Sequence, residues 1–335
     1  MIDFFIIITS SCLSFFLIQE VIEISIQKKL FDNPNEIRKI HKHAIPNLGG
    51  IAVFISFLLT FLLFFNKDYA HNLNYLLLVY LIIIIIGIKD DIIGINPYTK
   101  LLSQSAAAFI LINFLDTRII IFDDLNYIYH IINNLLSFLT IILIINAFNL
   151  IDGINGLLAS LTLISLLFFL VFFPINKFII LPLFGSLVSF LYYNMKKKNI
   201  FMGDTGSLFI GVIISTLFIS SLKVQNNFSY YQKIELCLSF FAIPVFDTIR
   251  LFILRISKKK SPFSADNNHI HHLFLKLGYS HNKTTLIICF LAIFFILFTI
   301  LSLILHIKYL YIYQFIILVF FFSSIFYYSN NFKQK

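Results

Sequence analysis

The sequence predicts an all-α, polytopic integral membrane protein of about eleven transmembrane helices, and three observations carry that prediction. Its 335 residues are 59% hydrophobic and only 12% charged, half the charge of a typical soluble domain at about 25%. Apolar runs long enough to cross about 30 Å of hydrocarbon recur from end to end, whereas a soluble chain of this length would bury such runs in one or two cores. The basic residues, finally, are concentrated on alternate connections between those runs.

Cutting the chain at charges and polar clusters gives spans at 3–25, 48–65, 74–89, 101–115, 128–148, 155–173, 177–193, 206–222, 234–254, 285–305 and 309–328. The first has no basic leading region and no small-residue cleavage site, and it ends at Lys28-Lys29, so it reads as a retained helix. Span 101–115 is short and carries Ser103, Gln104 and Ser105, and 177–193 contains Pro182 and Gly185, so ten spans is the lower count. Span 234–254 holds Asp247 and Arg250, read as a local buried ion pair. One set of alternate connections receives 18 Lys and Arg residues and the other six. The positive-inside rule puts the first set in the cytoplasm, with the N-terminus outside and the C-terminus inside. The net charge of +9 is thereby assigned to the membrane face, with no nucleic acid partner.

Residues 1–335 read as one membrane-embedded domain with no separate soluble domain and no internal repeat. Cys12, Cys237 and Cys289 lie inside apolar runs without paired spacing, which points to neither a disulfide framework nor a thiolate metal site. Asp116, Asp123 and Asp124, in the outer loops, read as solvated charges. The chemistry-bearing residues fall in the inner connections or at the inner helix ends.

Four clusters carry that chemistry. Asn146, Asn149, Asp152 and Asn155 stand three apart between two apolar runs, lining one side of a helix end and the turn after it. Amides and a carboxylate near hydrocarbon need partners, and such groups usually face a cavity, a substrate or an ion. Asp90 and Asp91 repel each other unless something positive lies between them: Mg²⁺, a lysine or a shared proton, with Lys89 and Lys100 flanking. Gly203-Asp204-Thr205-Gly206-Ser207 forms a tight turn into span eight that suits a divalent cation on Asp204 and a phosphate at the helix N-terminus, or else an N-cap by Asp204 or Ser207. His269, His271 and His272, near Lys258 to Lys260 and far from any cysteine, suit an anion better than zinc. Gly49-Gly50, opening span two, would let backbone approach a ligand closely. Together these parts supply what phosphoryl transfer needs: a metal, charge neutralisation and a base.

In order along residues 34–272, PNEIRKIHKHAIPNLGG, KDDIIGINPYTKLLSQ, NAFNLIDGINGL, FMGDTGS and SPFSADNNHIHH resemble the motifs of the polyprenyl-phosphate N-acetylhexosamine-1-phosphate transferases. The resemblance implies a multi-pass enzyme of the bacterial inner (plasma) membrane, with a homodimer allowed. It would move a HexNAc-1-phosphate, GlcNAc-1-phosphate first among them, from a UDP-N-acetylhexosamine to undecaprenyl phosphate. UMP would leave, Mg²⁺ or Mn²⁺ would be required, and a lipid-linked polysaccharide or glycoconjugate would be started. It makes Asp90 and Asp91 the catalytic carboxylates, with His269, His271 and His272 at the sugar-phosphate end, and Asp204 and Asp152 the metal ligands. Asn146, Asn149, Asp152, Asn155, Phe201 and Lys100 would bind substrate, Phe201 by stacking on uracil. Three departures are visible: Asn155 where a second Asp is common, Gly94 at the last position of a DDxxD pattern, and Asn267-Asn268 where a basic residue is usual. The His-Ile-His-His spacing favours the WecA-like branch; an MraY-type phospho-MurNAc-pentapeptide transferase is the nearest alternative. A transporter with an intramembrane ion path is the alternative from another class, and it would place its carboxylates near the bilayer midplane.

Overall fold

The structure, a computed structural model, describes residues 1–30, 45–64, 73–122, 126–197, 200–261 and 268–307. Every regular element of three residues or more among them is helical: α1 (Ile2–Lys28), α2 (Gly49–Phe64), α3 (Leu73–Ile93), α4 (Pro97–Phe114), α5 (Tyr127–Ile151), α6 (Leu157–Phe172), α7 (Lys177–Tyr192), α8 (Gly203–Lys223), α9 (Tyr230–Phe240), α10 (Ala242–Ser257), α11 (Ile270–Lys276) and α12 (His281–Ile304). Ten of the eleven expected spans coincide with these helices or a pair of them. The eleventh, 309–328, lies outside the described residues, as do Asp123, Asp124 and Asn267. By length and composition α1, α5, α7 with the helical turn that continues it to Lys196, α8 and α12 can cross a bilayer, and α9 with α10 makes a sixth crossing if taken as one bent span. The chain is an all-α, multi-pass membrane protein.

The span expected at 234–254 is not one helix. It breaks at Phe241, where α9 and α10 meet at 82°. Pro244 explains the break, because it has no N–H to give the Phe240 carbonyl four residues back. That carbonyl accepts instead from Ser165 Oγ of α6 at 2.6 Å, so the bend leaves no orphaned acceptor.

Helix α8 is the axis of the bundle. Almost every residue from Thr205 to Leu222 is buried, with α2, α3, α5, α6 and α9 packed around it. Two glycines bring its N-terminus against its neighbours: a Cβ on Gly50 would stand 2.1 Å from Gly206 N, and one on Gly87 2.4 Å from Thr205 Cα. The Gly49-Gly50 pair therefore serves backbone docking, a correction to the ligand approach expected of it. Gly49 N donates to Phe201 O at 2.9 Å, Gly50 N to Met202 O at 2.8 Å, and Phe201 N to Pro46 O at 2.8 Å.

At the periphery α1 lies on α7 through small polar residues. Ser10 Oγ donates to Pro182 O at 2.5 Å, Ser14 Oγ to Ser186 O at 2.9 Å, and Ser189 Oγ to Ser11 O at 2.7 Å. In a bilayer, where helix contact gains little from hydrophobicity, small residues and such bonds supply the association. Two ion pairs tie one end of the bundle, Lys177–Asp3 at 3.1 Å and Lys223–Asp116 at 2.6 Å. Asp116 also meets Arg118 at 2.8 Å, so it is a paired charge and not simply a solvated one. The opposite end gathers the termini that carry the motifs.

Candidate active site at one end of the bundle

Helix α3 ends where Gly94 takes φ +71° and its N–H returns to Asp90 O at 2.9 Å. The left-handed residue that closes a helix favours glycine, which accounts for Gly94 where a DDxxD pattern has Asp. The turn leads to Asn96, whose side chain accepts from Tyr98 N and starts α4 with Pro97 in its first turn. This tight α3–α4 turn returns Lys100 to Asp90, Nζ to Oδ2 at 3.0 Å. Lys89 is exposed and makes no such contact.

The two neighbouring aspartates part company in geometry. Asp91 gives both oxygens to the start of α8: Oδ1 accepts from Asp204 N at 2.8 Å, and Oδ2 from Thr205 N at 2.9 Å and Thr205 Oγ1 at 2.5 Å. Neither Asp204 nor Ser207 caps its own helix, as one reading of the turn expected; α8 is capped from α3 by Asp91. Asp90 turns the other way, with Oδ1 on Ile95 N at 2.8 Å and Oδ2 on Lys100. Lys100 Nζ also reaches Asp204 Oδ2 at 2.9 Å, so one ammonium joins carboxylates of α3 and α8.

The polar row of α5 supports that centre. Asn146 exchanges hydrogen bonds with Gln104, Asn146 Nδ2 to Gln104 Oε1 at 2.8 Å, which locks α5 to α4. Asn149 Nδ2 donates to Asp204 Oδ1 and to Ser207 Oγ. Asp152, just past the end of α5, is half-buried and has Asp204 and Asp91 nearby; burial first, then those two charges, push its carboxyl up to about 8. Asn155 is buried with Oδ1 unpartnered, while its carbonyl accepts from Thr285 Oγ1 of α12 at 2.9 Å. Stranding an amide oxygen costs about 1–3 kcal/mol and stranding a carboxylate far more, a physical reason for Asn at this position.

The histidine cluster joins the aspartates through the same turn. A Cβ on Gly153 would stand 2.1 Å from His271 Nε2, so the imidazole packs directly on the residue after Asp152. Burial, with His272 and His269 beside it, holds His271 well below the usual imidazole range. The rings of His271 and His272 lie 4.3 Å apart and those of His269 and His271 5.6 Å apart. Asp90, Asp91, Lys100, Asn149, Asp152 and Asp204 thus form one group, with the histidines next to it. Phe201 enters through its backbone pairing with Pro46 and Gly49. Among the described residues no three His, Cys, Asp or Glu side chains are gathered to hold a metal ion.

Sequence reasoning missed two residues of this end, Asn47 and Asn194, and one contact of a third. Asn47 Nδ2 holds Asp91 O at 3.1 Å. Asn194 sits in a single π-helical turn and clamps two segments, Oδ1 accepting from Gly156 N at 2.5 Å and Nδ2 donating to Ile200 O at 2.7 Å. Asp247, expected to pair only with Arg250, also meets His269. Asn194-Met195 followed by three lysines looks like an ordinary helix end, and only its partners across the fold give Asn194 away.

Comparison with known proteins agrees with this arrangement. The sequence profile described as glycosyl transferase family 4 matches residues 73–222. An undecaprenyl-phosphate alpha-N-acetylglucosaminyl 1-phosphate transferase of Pasteurella multocida is 35% identical over 280 residues, 78% of this chain and 76% of that protein. The Salmonella typhi protein of the same name is 26% identical over 286 residues, 81% of this chain and 76% of that protein. A Bacillus subtilis protein, named a probable undecaprenyl-phosphate N-acetylglucosaminyl 1-phosphate transferase, is 36% identical over 115 residues, where the chain spans 31% of its length. With three quarters of the Pasteurella protein covered at that identity, the chain belongs to glycosyl transferase family 4.

Proposed function

We propose that this protein transfers GlcNAc-1-phosphate from UDP-GlcNAc to undecaprenyl phosphate in the bacterial inner membrane, releasing UMP and starting a lipid-linked glycoconjugate. The observation that carries the reading is the convergence of Asp90 and Asp204, from different helices, on a single cationic group at one end of the bundle. The names of the relatives over most of the chain supply the substrates. The one-sided placement of basic residues puts that end in the cytoplasm, where a nucleotide sugar would be available.

The donor set suits Mg²⁺ or Mn²⁺. Lys100 Nζ stands in for a cation between two hard carboxylates, and Mg²⁺ usually takes one or two carboxylates with substrate phosphates and water completing its shell. Asp204 and Asp90 would hold it, with Asp152 next to them, and when bound it supplies charge neutralisation of the transferring phosphate. The chain's own residues do the rest. Asp91 is a positioning residue whose oxygens fix the start of α8 and so the place of Asp204. Asn149 orients the Asp204 carboxylate. Asp90, whose carboxylate accepts no hydrogen bond from the α8 backbone, is the member of the pair that meets the lipid phosphate. Lys100 neutralises the developing charge, and the histidines bind the sugar-phosphate end.

The test is purified full-length protein with undecaprenyl phosphate, Mg²⁺ and a panel of labelled UDP-sugars, scored for lipid-linked product. UDP-GlcNAc should give product and UDP-MurNAc-pentapeptide none. Folded protein giving no product with any UDP-HexNAc would overturn the proposal.

A further inference from the structure

Outside the aspartate centre, the most completely engaged buried carboxylate among the described residues is Asp247, in α10 and 1% exposed. Arg250 Nη2 donates to Oδ1 at 2.6 Å and Arg250 Nε to the same oxygen at 3.2 Å. His269 Nδ1 lies 3.0 Å from Oδ2. Ile270 N points at both oxygens, at 3.3 and 3.2 Å. The same Arg250 Nη2 also donates to Asn268 O at 2.6 Å. Three consecutive residues, 268–270, are therefore pinned to α10 by one ion pair.

An ordinary buried ion pair would be satisfied by Arg250 alone. Here the carboxylate spends its second oxygen on an imidazole. A carboxylate only accepts, so the proton of that bond sits on His269 Nδ1. Nε2 is then the nitrogen turned away from Asp247, and among the described residues no hydrogen bond engages it, although the side chain is only 8% exposed. The rotation of the ring and its tautomer are both set by a group that itself has no room to move. His271 and His272 lie alongside, and His271 rests on Gly153 beside Asp152.

We infer that Asp247, held by Arg250, is a positioning residue for the transfer reaction: it orients His269 so that Nε2 meets the phosphate end of the nucleotide sugar. The inference rests on the transferase reading above. A carboxylate that orients an imidazole in this way favours one tautomer and removes the entropy of ring rotation before substrate arrives. The gain belongs to the bound phosphate and is absent from the folded free protein.

A double-mutant cycle on full-length protein tests it, with Asp247→Asn, His269→Asn and the pair. The His269→Asn amide can keep the donor that faces Asp247 while removing anything at the Nε2 position, so it should unfold at the wild-type temperature. It should lose about 100-fold in kcat/KM, the order expected of a misplaced substrate group. Asp247→Asn should lose a similar factor, and the double variant should be no worse than His269→Asn alone. Asp247→Glu should recover part of the loss. Independent, multiplying losses would mean that Asp247 merely caps α11, and wild-type activity in His269→Asn would remove His269 from the site; either result overturns the inference. Should Asp247→Asn fail to fold, Arg250→Gln replaces it in the cycle with the same two criteria. Inactivity of the wild-type protein would count against the transferase reading, whereas an active wild type with an additive cycle would count against Asp247 alone.

Discussion

Thr205 gives Asp91 two of its three hydrogen bonds, from N–H and from Oγ1. Thr205→Val should therefore keep the volume, leave a buried carboxylate oxygen short of one donor and lower stability by about 1–3 kcal/mol, read as a lower unfolding temperature in detergent. No change would deny Asp91 its hold on α8. Asp152 gives the opposite expectation. Its folded-state carboxyl is raised to about 8 from 3.8. Both states are protonated below about pH 4, the unfolded state alone ionises above that, and the difference is complete past pH 8. In metal-free buffer, stability relative to Asp152→Asn should fall as pH rises from 4 to 8, and the variant should unfold at the higher temperature at pH 8 while losing transfer activity. Identical pH profiles for the two proteins would refute this. That the aspartates need partners was legible in the sequence, since carboxylates next to apolar runs demand a reason. Which of the two adjacent ones holds α8 was not, because α8 begins more than a hundred residues away.

Glycines decide how the helices meet. Gly50 and Gly206 touch backbone to backbone, and a methyl group on Gly50 would fall 2.1 Å from Gly206 N. No rotamer relieves such a contact, so Gly50→Ala should fail to yield folded protein by size-exclusion chromatography in detergent, or yield it with the unfolding temperature reduced by more than 5 °C, about 3 kcal/mol or more. Wild-type behaviour would show that α2 and α8 can part without harm. The sequence offered the glycine pair and the GDTGS turn as separate features. Their backbones meet in one joint, a fact invisible to spacing because Gly50 and Gly206 are 156 residues apart. The break between α9 and α10 was missed for a related reason: Pro244 is plain to read, but a proline near a helix start is compatible with continuation or with a turn. The choice was made by Ser165, which takes the freed carbonyl.

The arrangement of the bundle was the most legible part, because alternation of apolar runs and charges is a long-range signal repeated ten times over. Among the described residues the motif-bearing helix ends lie at one end and Asp3, Lys177, Asp116 and Lys223 at the other. With cysteine-free background and single cysteines at Asp3 and Ser261, an impermeant thiol reagent applied to intact cells should label the first and spare the second; labelling of Ser261→Cys would invert the orientation. One contact also bears on how the protein is made. The serines of α1 find their acceptors on α7, 172 residues later in the chain. At about 5–20 residues per second, roughly 10–30 s of synthesis separate the two helices. Through that interval α1 has only its own backbone to bond those hydroxyls, so the seam that holds the mature bundle together can close only after the second half of the chain has been made.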